Sequence, residues 1–305
     1  MTGARPIVAI TVGDPSGIGP EIALKASRDS RVLAVCQPKL YGPHTPADLA
    51  SFPAGQVNAE SARAAHAAIV AATNDALQHR VAAIVTAPIN KEAFALAGLH
   101  WPGHTELLAH LCGVSDVAMM FWSEELRVVL ATVHVPLKDV PATLTEATLL
   151  RIIRLTDQSL PKFGIARPRI AVAGLNPHAG EHGVIGNEEL HTFAPAIAKA
   201  VADGIDVSGP YPADTLFVRA VRGEFDVVIA AYHDQGLVPV KLVAFGHAVN
   251  VTLGLPIVRT SVDHGTAFDI ARRGTADEGS LVEAILLGVK LAISGDARDR
   301  RPPSS

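Results

Sequence analysis

A chain of 305 residues with 49% hydrophobic content is long enough for two lobes of ordinary size or one large α/β domain, and it can bury a sizeable core. Its formal net charge of −4, carried without a basic block, argues against a nucleic-acid partner, and no apolar run reaches membrane-spanning length. The two cysteines, Cys36 and Cys112, lie far apart in apolar surroundings, and the start MTGARPIVAITVGD runs into a strand pattern without a signal-peptide core; both features point to a cytoplasmic chain with free thiols.

In chain order, Ile7–Val12 predicts a first strand, then the turn GDPSGIGP and a helix that starts near Pro20 with Glu21 in its first turn. Gly13, Gly17 and Gly19 fit either a phosphate cradle at that helix start or a structural tight turn, and their spacing is not G-x-G-x-x-G. Asp14, at the strand end, is placed to face a cleft. Ser61–Leu77 reads as an Ala-rich helix and Val81–Ala87 as a buried strand, a β-α-β rhythm that predicts a parallel sheet covered by helices. His104 and Thr105 open a short helix after Pro102-Gly103, where backbone N–H groups favour an anion; Thr105 also fits a plain N-cap. The runs Val117–Trp122 and Arg127–Val133 predict a hairpin, so the sheet is mixed. Thr145–Phe163 reads as a helix, Arg169–Gly174 as a strand and Asn187–Ala202 as a helix, with His182 and His191 at the surface. Asp214, in GPYPADTLF, fits a helix cap or a site residue. Asp277–Ile293 is the last helix, and the tail GDARDRRPPSS reads as disordered.

The chemistry is concentrated between Tyr232 and Gly274. There His233, Asp234, Lys241, Asn250, Arg259, Asp263, His264 and Asp269 alternate with apolar runs such as Val227–Ala231 and Val249–Leu253, the pattern of an active site built on a sheet. His134 in LATVHVPLKD and His178 in AVAGLNPHAGE also end apolar runs. Imidazoles with open coordination positions suit Zn, Co, Ni or Fe better than Mg, so His134, His178 and His233 are candidate metal ligands; each alone also fits a strand-end carbonyl partner.

The motifs GDPSGIGPE (13–21), GHTELL (103–108), ATVHVPLKDV (131–140), GLNPHAGE (174–181), PADTLF (212–217), YHDQGLVPVK (232–241) and VNVTLGLPIVRTSVDHGTAFDIARRGTAD (249–277), in this order, resemble the 4-hydroxythreonine-4-phosphate dehydrogenases of pyridoxal-phosphate biosynthesis. The likeness runs nearly end to end and departs at Gly42–Ala59, where members of that family carry a longer excursion.

The resemblance implies a two-lobed α/β/α fold with mixed, largely parallel sheets, like isopropylmalate dehydrogenase, and an active site in the interlobe cleft at a dimer interface. One lobe would comprise 1–97 plus 267–305, and a central lobe, 98–266, would carry the metal and substrate site and the dimer contacts. His134 and His178 of one subunit and His233 of its partner would hold one divalent metal (Zn, Co or Mg), making a homodimer obligatory. His104, Thr105, Lys241, Asn250 and Arg259 match the family's substrate-binding positions, with Asp214 beside them; Lys and Arg suit phosphate and carboxylate, while Asn and Thr orient hydroxyl and amine groups. The segment His264–Asp277 is similar to the adenosine loop of the isopropylmalate and isocitrate dehydrogenases. His264, Gly265, Thr266 and Asp269 would bind the cofactor, with Asp269 on the ribose 2′-OH favouring NAD, although Arg272 and Arg273 could accommodate a 2′-phosphate. The implied reaction is oxidation of 4-phosphooxy-L-threonine at C3 followed by decarboxylation to 3-amino-2-oxopropyl phosphate. Lys241, or an Asp such as Asp214 acting through water, is the candidate proton acceptor. The alternatives are a same-fold dehydrogenase of D-threonate or D-erythronate 4-phosphate or of a dihydrodiol, and a non-catalytic metabolite binder.

Overall fold

Apolar runs of four or five residues, separated by turns and by helices that cover them, set the architecture. The computed structural model describes residues 5–299. Its strands are β1 (Ile7–Thr11), β2 (Gln37–Tyr41), β3 (Ala83–Thr86), β4 (Ala118–Trp122), β5 (Arg127–Leu130), β6 (Ile170–Ala173), β7 (Val207–Tyr211), β8 (Val227–Ala230), β9 (Val249–Leu253) and β10 (Arg259–Ser261). The chain divides into two compact units, one of Met1–Val117 with Val249–Asp296, the other mainly Ala118–Ala248.

In the first unit the order is β2-β1-β3-β10-β9, with the first four strands parallel and β9 antiparallel to β10. The long helix Ala59–Leu77 starts where Asn58 accepts the Ser61 N–H, and its face Ala62, Ala65 and Ile69 packs on Phe94, Leu107 and Leu108. Residues 98–117 and 249–266 belong to this unit, where the resemblance implied a central lobe of 98–266. The helix His104–Leu111 contributes Leu107 and Leu108 to this core, while β10 pairs with β3.

The second unit runs β4-β5-β8-β6-β7, with β4 antiparallel to β5 and the rest parallel. The predicted hairpin is present, with Met120 opposite Val129 and Phe121 opposite Val128. In each unit the strand pairing is mixed and largely parallel, as expected. One stretch differs: 233–244, read from the sequence as charged groups alternating with buried strands, is the helix His233–Ala244. Pro239 lies inside this helix, and Gly236 is where it meets β5, since a Cβ there would lie 2.6 Å from Leu130 Cδ2. The last helix, Gly279–Asp299, extends past Ile293 into the stretch read as a disordered tail; residues 300–305 lie outside the described residues.

The glycines of GDPSGIGPE are required by close backbone approach. A Cβ at Gly13 would sit 2.2 Å from Pro88 O, one at Gly17 2.8 Å from Thr266 O and one at Gly19 2.0 Å from Val12 O. Their role is the structural one of the two left open by the sequence: they let the helix Gly19–Ala26 fold back against β1 and bring Thr266 alongside. Gly19→Ala should therefore lower the unfolding free energy by about 3 kcal/mol or more. Gly265→Ala, with nothing within 4 Å of its added Cβ, should change it by less than about 0.5 kcal/mol, both read from urea midpoints at constant m-value.

Candidate active site

Strand register in the first unit assembles a polar row. Thr11 is level with Thr86, Thr86 with Ser261 and Ser261 with Asn250, so the ends of four adjacent strands place two threonines, a serine and an asparagine side by side. Arg259, two residues before Ser261, shares its face. The Arg259 side chain is buried, donating from Nη1 to Thr252 Oγ1 (3.0 Å) and from Nη2 to Thr86 Oγ1 (2.8 Å), while Nε has no partner among the described residues. Burial with only hydroxyl partners pulls its pKa down to about 10, partly opposed by the charge of Glu106. Among the described residues no carboxylate hydrogen-bonds to this guanidinium, which suits it to an incoming anion.

His104 lies close enough to feel that charge. Its imidazole, at the start of the helix His104–Leu111, is held well below the ordinary histidine range by burial first and Arg259 second, so it is neutral at physiological pH. Its Nε2 and the Oδ1 of Asn250 are buried and without partners, like Arg259 Nε. Three of the sequence-predicted substrate residues thus carry unsatisfied polar atoms of complementary kinds, and half-buried Thr105 follows His104 in the same helical turn. Sequence reasoning missed Thr11, Thr86, Thr252 and Ser261, because threonine and serine at strand ends are ordinary. Their signal is register, which a single chain read linearly does not display.

In the second unit, His134 and His233 line a cavity of about 270 Å³ together with Val133, Leu137, Val140 and Tyr232. Their ring centroids are 5.9 Å apart. The Nδ1 of His233 is 2.7 Å from Asp234 Oδ1, a carboxylate–imidazole contact that leaves Nε2 for a ligand, the arrangement usual behind metal-bound histidines. The donor set fits zinc or cobalt. His178 is not among the residues lining this cavity, and among the described residues of one chain no three His, Cys, Asp or Glu side chains form a metal-binding group. Within the chain His134 and His233 thus share a cavity, and His178 stands apart from it.

His178 sits on an unusual backbone. From His178 to His182 five successive residues have positive φ (53°, 51°, 77°, 43° and 54°), four of them not glycine. Each such residue costs about 1–2 kcal/mol, so the turn must be held from outside. The buried Glu189 accepts from Asn176 N (2.7 Å) and Asn176 Nδ2 (2.9 Å), and Gly180 packs so closely that a Cβ would lie 2.6 Å from Glu189 Oε2. Lys241 is exposed in the last turn of the helix His233–Ala244, and Asp214 is exposed in the first turn of the helix Ala213–Val221. His264 and Gly265 are exposed, Thr266 is half-buried with its carbonyl accepting from Ile18 N, and Asp269 is exposed in the short helix Phe268–Ile270. Asp14 is buried, Ser16 N donates to its Oδ1 (2.8 Å), and burial raises its pKa against the opposing influence of Ser16 and Ser61.

The model of the family "Pyridoxal phosphate biosynthetic protein PdxA" matches residues 13–288. The chain belongs to this family. It is 45% identical to the 4-hydroxythreonine-4-phosphate dehydrogenase of Desulforapulum autotrophicum, over 99% of this chain and 100% of that protein. It is 41% identical to the D-threonate 4-phosphate dehydrogenase of Cupriavidus necator, over 96% of this chain and 99% of that one. Among solved structures, the 4-hydroxythreonine-4-phosphate dehydrogenase of Klebsiella pneumoniae is similar with a TM-score of 0.85 and 40% identity, covering 94% of this chain and all of that one. Membership makes the chain a dehydrogenase, an oxidoreductase acting on a CH–OH group. No described helix is long and apolar enough to cross a membrane.

The depressed His104 pKa has a sign that can be tested. The unfolded chain binds a proton on this histidine below about pH 6.5 while the folded chain does not, so stability falls as pH drops through that value, by at most about 1.4 kcal/mol per pH unit. The stability difference between wild type and His104→Asn should shrink from pH 7 to pH 5 in urea titrations; a constant difference would show that His104 charges freely in the fold.

Proposed function

We propose that this chain catalyses NAD-dependent, divalent-metal-dependent oxidation of 4-phosphooxy-L-threonine at C3, followed by loss of CO2 to give 3-amino-2-oxopropyl phosphate, on the route to pyridoxal phosphate. The observation that carries the reading is the buried Arg259, bonded only to threonine hydroxyls and with Nε unpaired. Its fork holds an anionic end of the substrate, phosphate or carboxylate, in a water-poor setting where charge-assisted hydrogen bonds are strong. The neutral imidazole of His104 offers Nε2 to a substrate oxygen without adding charge, and Asn250 Oδ1 accepts from a hydroxyl or amine. Thr105 supplies a further hydroxyl. Lys241, exposed, steers the phosphate and is the candidate for taking the C3 hydroxyl proton, with Asp214 as the alternative through water. Metal and NAD, when bound, supply Lewis acidity at the C3 oxygen and a hydride acceptor.

His134, His178 and His233 would hold the metal. Since no such trio forms within one chain among the described residues, the reading requires ligands from two subunits. The helix that starts at His233 supports a homodimer: Val238, Leu242 and the following Phe245 are 64%, 84% and 79% exposed, an apolar face of the kind that subunit contacts cover. For the cofactor, Asp269 is free to meet a ribose 2′-OH, while Arg272 spends its Nη2 on the carbonyls of Phe52 (2.7 Å) and Pro15 (3.3 Å) and is not presented to a 2′-phosphate. This supports NAD over NADP. Free Cys36 and Cys112 support a cytoplasmic setting.

A second reading, D-threonate 4-phosphate as substrate, is favoured by one observation. Among the described residues no carboxylate hydrogen-bonds to the Arg259 group, and Glu106, the acid whose charge it feels, is exposed, which suits a substrate without an ammonium group. Asn250 Oδ1 accepts equally from the C2 hydroxyl of the sugar acid.

The deciding experiment follows NADH formation by metal-stripped protein refilled separately with Zn, Co, Mn or Mg, with each substrate and with NAD or NADP. Turnover of 4-phosphooxy-L-threonine with metal and NAD is the expected result, and turnover of the threonate alone moves the assignment to the second reading. Silence with every pair would sink both. In the same assay Arg259→Met should lower kcat/KM by about 10²-fold or more, and His178→Ala should abolish both turnover and stoichiometric metal binding while leaving the fold intact.

A further inference from the structure

The loop proposed above to bind the adenosine side of NAD has little regular structure of its own. Between Asp263 and Asp277 its only helix is the three-residue Phe268–Ile270, and two non-glycine residues, Ala267 (φ 40°) and Arg272 (φ 60°), lie in the left-handed region. Such a loop, left alone, would relax into many shapes. It is instead fastened at three places to the segment 15–25. At its start, Ile18 N donates to Thr266 O (3.0 Å). In its middle, Arg272 reaches Pro15 O and Phe52 O.

The third fastening is the densest. Glu21 Oε1 accepts from Ala276 N (2.9 Å) and Oε2 from Gly274 N (3.2 Å), while Lys25 Nζ donates to Gly274 O (3.1 Å) and Ala276 O (2.7 Å). Glu21 and Lys25 pair with each other at 2.9 Å, one helical turn apart in the favourable order, and their side chains are only 14% and 35% exposed. Two opposite charges thus read both backbone polarities of one three-residue turn: the carboxylate takes its N–H groups and the ammonium its carbonyls. An ion pair on an ordinary surface helix would not need this second set of partners.

We propose that Glu21 and Lys25 are positioning residues for the dinucleotide, a clamp that holds the loop 264–276 in its binding shape before the cofactor arrives. The inference rests on the reading of that loop as the cofactor seat. Its energetic content is preorganisation: ordering is done during folding, so it does not weaken cofactor binding. Loss of the clamp leaves the groups at Arg259 and at His134 in place, so its signature is a cofactor-specific defect.

The test uses the full-length, metal-loaded protein and NAD itself. Glu21→Gln and Lys25→Met should each raise the NAD dissociation constant about tenfold in calorimetry and speed amide hydrogen exchange at 266–276. The double variant should do no worse than about the worse single one, since both act on one turn. At saturating NAD, kcat and the KM of the phosphorylated substrate should stay within about twofold, and Lys25→Arg should restore much of the affinity. Faster exchange with unchanged NAD affinity overturns the proposal. A parallel fall in kcat, substrate affinity and urea midpoint overturns it too, as that is the mark of a merely structural pair. Asp269→Ala separates the two levels: if it leaves NAD affinity unchanged, the loop is not the cofactor seat and both ideas fall. If it weakens NAD while the Glu21 and Lys25 variants do not, the seat stands and the clamp alone is wrong.

Discussion

A guanidinium taken out of water with no described carboxylate hydrogen-bonded to it is the constraint on which the rest of the first unit depends. Arg259 can stay charged there because two threonine hydroxyls, on neighbouring strands, accept its N–H groups. That requirement fixes the register of β10 between β3 and β9, and the same register aligns Thr11, Thr86, Ser261 and Asn250. It also adds to the burial that keeps its neighbour His104 neutral, since an imidazole near a buried cation resists a second positive charge. Sheet pairing and residue choice both answer to this one buried charge.

The two units divide the chemistry. Around Arg259 the polar atoms are donors and acceptors suited to holding an anion; around His134 and His233 they are imidazoles suited to a metal, behind which Asp234 sets the His233 ring. The segment 13–25 serves neither directly. Its glycines were candidates for a phosphate cradle, yet their missing side chains make room for carbonyls of Pro88, Thr266 and Val12, so this stretch works as a scaffold.

Much of this was legible in the linear sequence. The β-α-β rhythm, the β4–β5 hairpin, the body of the helix read at Ser61–Leu77, and the helix openings near Pro20 and at His104 all follow from local patterns with local physical causes. What was not legible depends on partners far along the chain. β2 contains Pro38 and β7 contains Gly209 and Pro210, residues that argue against a strand unless it lies at the end of the strand order, as both do within their units. The helix His233–Ala244 hides behind Gly236 and Pro239, because only the side chains of β5 reveal why a glycine is needed. His104, Asn250 and Arg259 stood out as residue types in motifs, but the threonines and serine that complete their row look like any strand residues until register is known. The grouping of the histidines was beyond local pattern altogether: nothing in the spacing of residues 134, 178 and 233 says that the first and last share a cavity.

The left-handed run from His178 to His182 has a consequence for how this chain can change over time. Glycine at position 178 would remove the local penalty that an imidazole-bearing residue incurs at φ 53°, so the replacement that deletes the candidate ligand is also one that the backbone welcomes. Thermostability and ligand retention therefore pull in opposite directions at this codon. A library of this protein selected only for resistance to heat should drift toward glycine there, and one selected for growth that depends on its turnover should not.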